Sequence, residues 1–118
     1  MKIRRFEDII AWQKAQDLTL EIYGAFKVLK DYGFKDQVCR ASVSISNNIS
    51  EGFDRSSLAD FKRFLYMSLG SCSEVKSMLY LAERLKYIEI KDRDMLINKV
   101  TEVSMIITGL IKSISPKN

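Results

Sequence analysis

Apolar residues recur at steps of three and four along almost the whole chain, and this spacing constrains the fold more than any other feature. Residues so spaced share one face of an α-helix, so each series predicts an amphipathic helix. The four series are Ala15, Leu18, Ile22, Ala25, Phe26 and Leu29; Val38, Ala41, Ile45 and Ile49; Phe61, Leu65, Ser68, Cys72, Val75, Leu79 and Ala82; and Leu96, Val100, Val103, Ile107, Leu110 and Ile114. They predict helices at about 5–31, 35–53, 57–87 and 92–114.

The ends of these helices carry recognisable start and stop residues. Ser57 followed by Asp60 resembles a capping box at the start of the third helix. Asp92 is expected to cap the fourth helix, and Gly33 to stop the first. The connections are short, which favours antiparallel neighbours. Residues 1–118 are therefore expected to form one domain, an all-α, antiparallel up-down-up-down four-helix bundle.

The residue types that the chain lacks exclude several kinds of chemistry. It contains no histidine, which removes the commonest general base and most zinc or di-iron ligand sets. Its two cysteines, Cys39 and Cys72, are too far apart to form a metal-ligand pair, and we interpret both as small buried residues in a reducing compartment. No apolar segment is long enough to cross a membrane. We expect a cytoplasmic protein without metal or cofactor.

Three of the helices carry more apolar surface than one bundle core needs. The surplus residues that we assign to a candidate interface, on the first and third helices, are Ile9, Trp12, Leu20, Tyr23, Met67, Met78, Leu81 and Leu85; the fourth helix adds Ile97, Met105 and Ile106. One interpretation is a wide core stripe with scattered exposed apolar residues, which is ordinary in monomers. The other is an interface between subunits, because monomers rarely leave large apolar patches in water. For the third helix we favour the interface, and we predict a symmetric homo-oligomer.

A line of polar residues follows one flank of the second helix. It comprises Gln37, Arg40, Ser44, Asn48 and Glu51, and the facing candidates on the third helix are Gly70, Ser71 and Glu74. We predict a structural hydrogen-bonded network that fixes how helices or subunits pair. The alternative is a catalytic pair of carboxylates, Glu51 with Glu74. No nucleophile with an evident base and no phosphate-binding glycine loop supports an enzyme.

Several motifs occur in an order that resembles a known family. They are Phe6, Trp12 and Ala15; Gln37-x-x-Arg40-Ala41-x-x-Ser44-Ile45-x-x-Asn48-Ile49-x-Glu51-Gly52; Phe61-x-x-Phe64-Leu65; and Gly70-Ser71-x-x-Glu74. Together they cover nearly the whole chain and resemble the 23S rRNA intervening-sequence protein family, many of whose members are encoded within insertions in large-subunit ribosomal RNA genes. Ser50 stands where alanine is usual, and no proline precedes the second helix; neither departure disturbs the bundle.

The resemblance implies a four-helix up-down bundle that assembles as a homo-oligomer, a ring of five copies. A more distant resemblance, through the fold alone, is to the accessory variability determinant of diversity-generating retroelements. That protein is a barrel-like pentamer that binds a reverse transcriptase and nucleic acid. The second resemblance therefore implies RNA or DNA and a polymerase-type protein as partners, by analogy of fold.

The positive charge is concentrated at one end of the predicted bundle. The formal net charge is +4, and most of the excess lies where both termini meet the turn between the second and third helices. The basic residues there are Lys2, Arg4, Arg5, Arg55, Lys62, Arg63, Lys112 and Lys117, and the acidic ones are Glu7, Asp8, Glu51, Asp54 and Asp60. In a single copy, a positive charge excess of this size is also ordinary for a solvent-exposed surface. A ring would repeat it along one rim, where it could attract phosphate groups.

These features together predict a function without catalysis. The leading hypothesis is a homo-oligomeric scaffold or adaptor that contacts RNA or DNA non-specifically through the basic rim. Apart from Phe6 and Phe53, that end offers no aromatic rings for stacking on bases, so we expect contact with the backbone only. The alternative is a protein-only interaction module, such as an accessory protein of a polymerase or reverse transcriptase.

Overall fold

The computed structural model describes residues 3–115, and within that range it contains α-helices and no strand. A short 3-10 turn at Phe6–Asp8 precedes four helices. The helices are α1 (Ile10–Ala25), α2 (Tyr32–Phe53), α3 (Leu58–Arg84) and α4 (Ile90–Ile114). The predicted all-α class is confirmed. Lys2 and Lys117, two members of the predicted basic end, lie outside the described residues.

Each helix packs against two neighbours, so the four occupy the corners of a bundle. Helix α2 contacts α1 and α3, and α4 contacts the same two helices. In the part of the chain that the structure describes, α1 and α3 are not in direct backbone contact, and neither are α2 and α4. The body measures 46 × 23 × 19 Å. Helices α1 and α3 therefore lie at diagonally opposite corners.

The core is built from most of the apolar series that the spacing predicts; Ala25 is exposed, and Leu29, Leu110 and Ile114 are only partly buried. The largest side chains with under 2% exposure include Leu18, Ile22, Val38, Ile45, Ile49, Leu65, Val75, Leu79, Leu96, Val100 and Ile107. Burying each such side chain contributes about 1.5–3 kcal/mol before the entropy of ordering it is subtracted. The buried Ser68 is satisfied, because its Oγ donates a 2.7 Å hydrogen bond to the carbonyl of Ile45 on α2. Hydroxyl groups thus enter the core only with partners.

Helix α1 is shorter than the predicted 5–31 at both ends. At its start, Ile9 is extended, and the preceding turn folds back so that the rings of Phe6 and Trp12 meet edge to face, with centroids 5.3 Å apart. At its end, Asp31 caps α2 by accepting a hydrogen bond from the amide of Phe34. Gly33 accordingly lies inside α2 and does not stop α1. The end of α1 is therefore set by the cap of the following helix, which the spacing of apolar residues does not reveal.

The ends of α3 and α4 confirm one predicted cap and correct another. Ser57 caps α3, and its Oγ accepts a 3.1 Å hydrogen bond from the amide of Asp60. Asp92 does not cap α4, which begins two residues earlier; it lies in the first turn, where a carboxylate suits the helix dipole. After α3, Lys86 adopts a left-handed backbone with φ of 65°. This conformation ends the helix and leads the chain into Tyr87.

Candidate functional site

The basic end of the bundle is organised around the close approach of α2 and α3. Gly52, in the last turn of α2, has no room for a side chain: a Cβ there would lie 2.5 Å from the Cβ of Phe64 and 3.2 Å from the Cδ1 of Phe61. The rings of Phe53 and Phe61 meet edge to face beside it, with centroids 5.6 Å apart. The absence of a side chain at one position thus lets two aromatic residues of α3 pack directly on α2.

Phe64 in turn positions two of the predicted nucleic-acid contacts. The guanidinium carbon of Arg55, in the α2–α3 turn, lies 4.9 Å from the centroid of the Phe64 ring, and that of Arg63 lies 4.8 Å from it. The ring is 6% exposed, whereas both arginines are exposed. Stacking on a fixed ring holds a guanidinium without consuming its N–H donors. Phe64 was not among the predicted functional residues. The signal that could have identified it is the Phe61-x-x-Phe64 spacing that follows the glycine at the end of α2.

The other described basic residues of this end are less fixed. Arg5 forms a 3.2 Å ion pair with Glu7, and Arg63 a 3.5 Å pair with Asp60. Among residues 3–115, Arg4, Arg55, Lys62 and Lys112 form no ion pair. Within residues 3–115, these four cations of the predicted basic end therefore have no carboxylate partner.

Neither aromatic residue considered for base stacking presents a free ring. Phe6 is half-buried and packs against Trp12, and the half-buried Phe53 packs against Phe61. Base stacking needs an open ring face. The arrangement at this end can hold phosphate groups but offers bases little.

Part of the predicted polar network joins α2 to α3. The Oγ atoms of Ser44 and Ser71 are 2.5 Å apart, and Gln37 Nε2 donates to Glu74 Oε2 at 3.4 Å. The first pair is half-buried and the second exposed. Small hydroxyl residues allow the two helices to approach closely while pairing across the gap. Gly70 is exposed, and a Cβ there would meet nothing within 4 Å outside its own stretch of helix.

The remaining members of the polar line bond within α2 or point to solvent. Arg40 pairs with Asp36 one turn away at 2.9 Å, and the amide of Asn48 donates to the backbone carbonyl of Ser44. Glu51 is exposed, and in the described part of the chain it makes no hydrogen bond across to another helix. The predicted network is thus divided into cross-helix pairs and local ones.

The alternative catalytic pair is not brought together. Glu74 lies opposite Gln37, and Glu51 follows Gln37 by fourteen residues on the same helix. At 1.5 Å per residue, the two positions are about 21 Å apart along α2. General acid–base partners must both reach one substrate, so Glu51 and Glu74 cannot act as a pair. That alternative is wrong.

The two cysteines behave as buried apolar residues. Both are free and buried, and burial raises the pKa of each thiol, with a hydrogen bond from Ser104 partly offsetting the effect at Cys72. A thiol with a raised pKa is a poor nucleophile. Within residues 3–115, no group of three or more metal-binding side chains is assembled. None of the helices in that range combines the length and apolar character that a bilayer crossing needs.

Five of the eight predicted interface residues expose large apolar surface. On α1, Leu20 is 73% and Tyr23 49% exposed; on α3, Leu81 is 47% exposed, and Met67 and Leu85, the residue that follows α3, are similar. These two sets are called the α1 face and the α3 face below. Each is a set of exposed apolar side chains on one side of its helix; on α3 the exposed Glu74 lies between Met67 and Leu81 in the same row.

For the other three predicted interface residues, the structure shows burial within the chain itself. Ile9 is 2% exposed because the extended residue before α1 turns under the bundle, and Met78 is 8% exposed because its long, flexible side chain reaches the core. Trp12 is half-buried against Phe6. The prediction is wrong for Ile9 and Met78, which contribute to the core.

At the opposite end of the bundle, one hydrogen bond ties two connections together. The hydroxyl of Tyr87 donates to Asp31 Oδ2 at 2.6 Å, and its ring meets Phe34 edge to face, with centroids 5.3 Å apart. The hydrogen bond lowers the pKa of Asp31 and raises that of Tyr87. A wide, shallow cavity of about 950 Å³ lies beside this contact, lined by α1, α4 and the α3–α4 connection. This end is held by the aromatic ring and the carboxylate.

Comparison with known proteins places this fold in a family. The family model of the 23S rRNA-intervening sequence protein matches residues 7–109. A crystal structure from Bacteroides thetaiotaomicron, described as a protein with unknown function from the S23 ribosomal protein family, matches with a TM-score of 0.81 and 26% identity. That match covers 87% of this chain and 99% of the other. No curated protein matches the chain. The resemblance seen in the sequence is confirmed: the chain belongs to the 23S rRNA-intervening sequence protein family.

Proposed function

We propose that this protein is a non-enzymatic, cytoplasmic homo-oligomer that acts as a scaffold or adaptor and contacts the backbone of RNA or DNA through its basic end. One observation carries the proposal: two separate apolar faces, on α1 and on α3, remain exposed on diagonally opposite helices. Exposed apolar patches in a folded chain are typical of protein–protein contacts. A protein that places them on two sides is suited to joining two neighbours.

The positions of the faces favour contacts between unlike surfaces. If the α1 face of one copy packs on the α3 face of the next, every copy uses one α1 face and one α3 face. The copies form a closed ring when the rotation between neighbours is a whole fraction of 360°. Four helices at the corners of a square, projected at about 100° per residue, aim the two faces roughly 80–100° apart. Closure needs about 90° for four copies, about 108° for five and about 120° for six. The projection does not separate these numbers, and a ring of five is proposed because the family resemblance implies it.

In such a ring, α2 lies between the two contact faces and turns its outer side toward the axis. That side carries Arg40, Asn47 and Glu51, and no large exposed apolar residue follows Tyr32 on the helix. A polar lining suits a water-filled channel. Helix α4 then faces outward.

The helices are proposed to alternate in direction, up-down-up-down, so that the basic end is shared. In support, Ser44 contacts Ser71 while Gln37, earlier on α2, contacts Glu74, later on α3. With this topology the residues before α1, the α2–α3 turn and the end of α4 share one end of every subunit. A ring would repeat their cations along one rim, and the summed potential would attract phosphate groups.

Light scattering after size-exclusion chromatography tests the assembly. We expect the wild type to elute as a multimer at micromolar concentration, and Leu20→Lys or Leu81→Lys to elute as monomers, because a charge would be buried in the contact. Met105→Lys is the matched control: Met105 is exposed on α4, outside both faces, and its variant stays assembled. A monomeric wild type contradicts the proposal.

Mixing the two interface variants tests which surfaces meet. Each variant retains one intact face, so an equimolar mixture of Leu20→Lys and Leu81→Lys should form a dimer through the intact α3 face of the first and the intact α1 face of the second. If instead like faces meet, each variant alone stays assembled through its unchanged face. A mixture that remains monomeric excludes the α1–α3 contact.

Titration of a labelled RNA hairpin at two salt concentrations tests the rim. Contacts with phosphates release counterions, so we expect the logarithm of the affinity to fall steeply with the logarithm of salt concentration. Binding without that slope rejects the electrostatic basis. Assembly without any binding at low salt rejects the nucleic-acid contact and favours the protein-only module, which a pull-down after nuclease treatment would then identify.

A further inference from the structure

Three arginines within residues 3–115 lie over an aromatic ring, and they differ in how their N–H donors are used. Arg93, at the end away from the termini, lies 5.5 Å from the centroid of Tyr80. It also pairs with Glu83 at 2.7 Å and with Asp94 at 2.8 Å. Those two carboxylates occupy its donors and neutralise its charge. Arg93 therefore has a structural role that is complete within the chain.

The two arginines over Phe64 lack such partners. Arg55 has no carboxylate within ion-pair distance in the described part of the chain, and Arg63 has only the exposed Asp60 at 3.5 Å. A guanidinium stacked on a ring keeps its N–H groups in its own plane, directed outward. Two such groups beside one ring present several unoccupied donors and two positive charges at one place.

The two arginines lie beside the contact between α2 and α3. Arg63 lies in the second turn of α3, and Arg55 lies in the turn whose path is set by the contact between Gly52 and Phe64. Because the ring is buried beneath them, each arginine loses little further freedom when it binds a ligand. Arginines held in advance, with free donors, are suited to oxyanions, which accept paired N–H bonds from the planar fork.

We propose that Arg55 and Arg63, stacked on Phe64, form a phosphate-binding site for the backbone of a nucleic acid. The site deepens the proposed function and rests on it, because it assigns the rim's phosphate contact to two defined guanidinium groups and their supporting ring. Arg4 and Lys112 then contribute to the field around the site by charge alone. The planar shape of the two groups, and not only their charge, is required.

Fluorescence anisotropy with a labelled RNA hairpin separates shape from charge. In Arg55→Lys/Arg63→Lys both charges remain, so the salt slope should stay as in the wild type, while affinity falls about tenfold because the stacked, forked donors are lost. Arg55→Ala/Arg63→Ala should lose affinity and also reduce the salt slope by about 0.7–0.9 for each phosphate contact removed. Arg4→Lys, at the same end but on no ring, is the matched control and should bind within about twofold of the wild type.

Replacing the ring provides a second measurement. Phe64→Leu keeps an apolar side chain in the interface but removes the stacking surface, and it should weaken RNA binding about as much as the lysine pair does. Circular dichroism checks that the variant remains helical. The lysine pair changes only exposed groups, so the test holds even if Phe64→Leu is unstable.

The outcomes distinguish the site from the rim. If the lysine pair binds as tightly as the wild type while the alanine pair does not, the rim binds by charge alone: the proposed site is wrong and the proposed function stands. If both pairs bind as the wild type does, the contact lies elsewhere on the rim, and the site is again wrong. If the wild type binds no RNA at low salt, the rim and the site fail together.

Discussion

The α2–α3 and α1–α4 interfaces join neighbouring helices of one bundle by different means. Between α2 and α3, Gly52 admits Phe64 into contact, and hydroxyl groups bond across the gap, including Ser68 to the backbone of Ile45. Between α1 and α4, long side chains bridge the surface: Lys99 pairs with Glu21 at 2.5 Å, and Lys14 reaches Glu102 at 3.9 Å. A cavity of about 410 Å³ remains beneath those bridges.

The difference indicates where the sequence is free to change. Small residues that fill an interface are tied to their neighbours' shapes, because an added methyl group has nowhere to go. Half-exposed ion pairs stabilise little and can be exchanged at low cost. We therefore expect substitutions to have large effects at the α2–α3 interface and small effects at the α1–α4 interface, and four substitutions test this contrast.

The largest effect is expected for Gly52→Ala. The new Cβ would meet the Cβ of Phe64 at 2.5 Å, and neither atom is the free end of a side chain, so the helices must separate. Overpacking of this kind lowers the free energy of unfolding by about 1–3 kcal/mol, measured by urea denaturation. Gly70→Ala is the control: it adds a methyl group where nothing lies within 4 Å and should stabilise α3 by about 0.5–1 kcal/mol. Equal effects at both glycines would contradict the contrast.

The next effect is expected for Ser68→Ala. It removes a buried 2.7 Å hydrogen bond to α2 and should lower the free energy of unfolding by about 1 kcal/mol. Ser73→Ala, on the exposed side of α3, should change the free energy of unfolding by only a few tenths of a kcal/mol. If Ser68→Ala were neutral, the hydroxyl bonds would not stabilise this interface.

A smaller effect is expected for the ion pair of the other interface. A double-mutant cycle with Lys99→Met and Glu21→Gln should give a coupling of about 0.5 kcal/mol, because both side chains are partly exposed to solvent. The coupling should shrink in 1 M salt. A coupling above that of the Ser68 bond would reverse the proposed order of the two interfaces.

The smallest effect, expected for Tyr87→Phe, concerns pH. Tyr87 donates to Asp31 and lowers the pKa of that carboxyl, so the stability that this carboxylate contributes is present above its unfolded pKa and is lost as the pH falls through the folded value. In Tyr87→Phe the pKa of Asp31 should rise toward its ordinary value, measured by NMR titration. The stability difference from the wild type should shrink at acid pH. Tyr32→Phe, with an exposed ring, should leave the pKa of Asp31 unchanged.

Much of the fold could be predicted from the sequence, because helical spacing is a local property. Positions such as Ile45 and Leu65 lie at the centre of their stripes and are fully buried. The cap at Ser57 could likewise be predicted from nearby residues, because it involves only Ser57 and Asp60. The end of α1 was predicted wrongly because Asp31, within the segment assigned to α1, is instead the cap of α2. The spacing of apolar residues does not indicate which helix such a residue serves.

The candidate site was predicted less completely, since it depends on contacts between distant residues. Helical projection placed the polar line of α2 opposite Gly70, Ser71 and Glu74, and the structure then pairs Ser44 with Ser71 and Gln37 with Glu74. It could not show that Arg40 turns instead to Asp36. Helical projection also ignores the length of a side chain. Met78 lies at the edge of the apolar stripe, but its long side chain extends into the core and is buried.

The position of two arginines over one ring can be recognised only in the three-dimensional structure. Arg55 lies in a connection without periodicity, so no projection relates it to Arg63. Only the close contact at Gly52 brings the connection, Phe64 and the second turn of α3 together.

The absence of a side chain at Gly52 also fixes the alignment of α2 along α3. If α2 slid along α3 by one helical turn, about 5.4 Å, Asn48 or Ile49 would stand against Phe64, and either side chain would collide with it. Misaligned pairings of these two helices are therefore disfavoured. A single hydrogen atom in place of a side chain selects the alignment of α2 with α3.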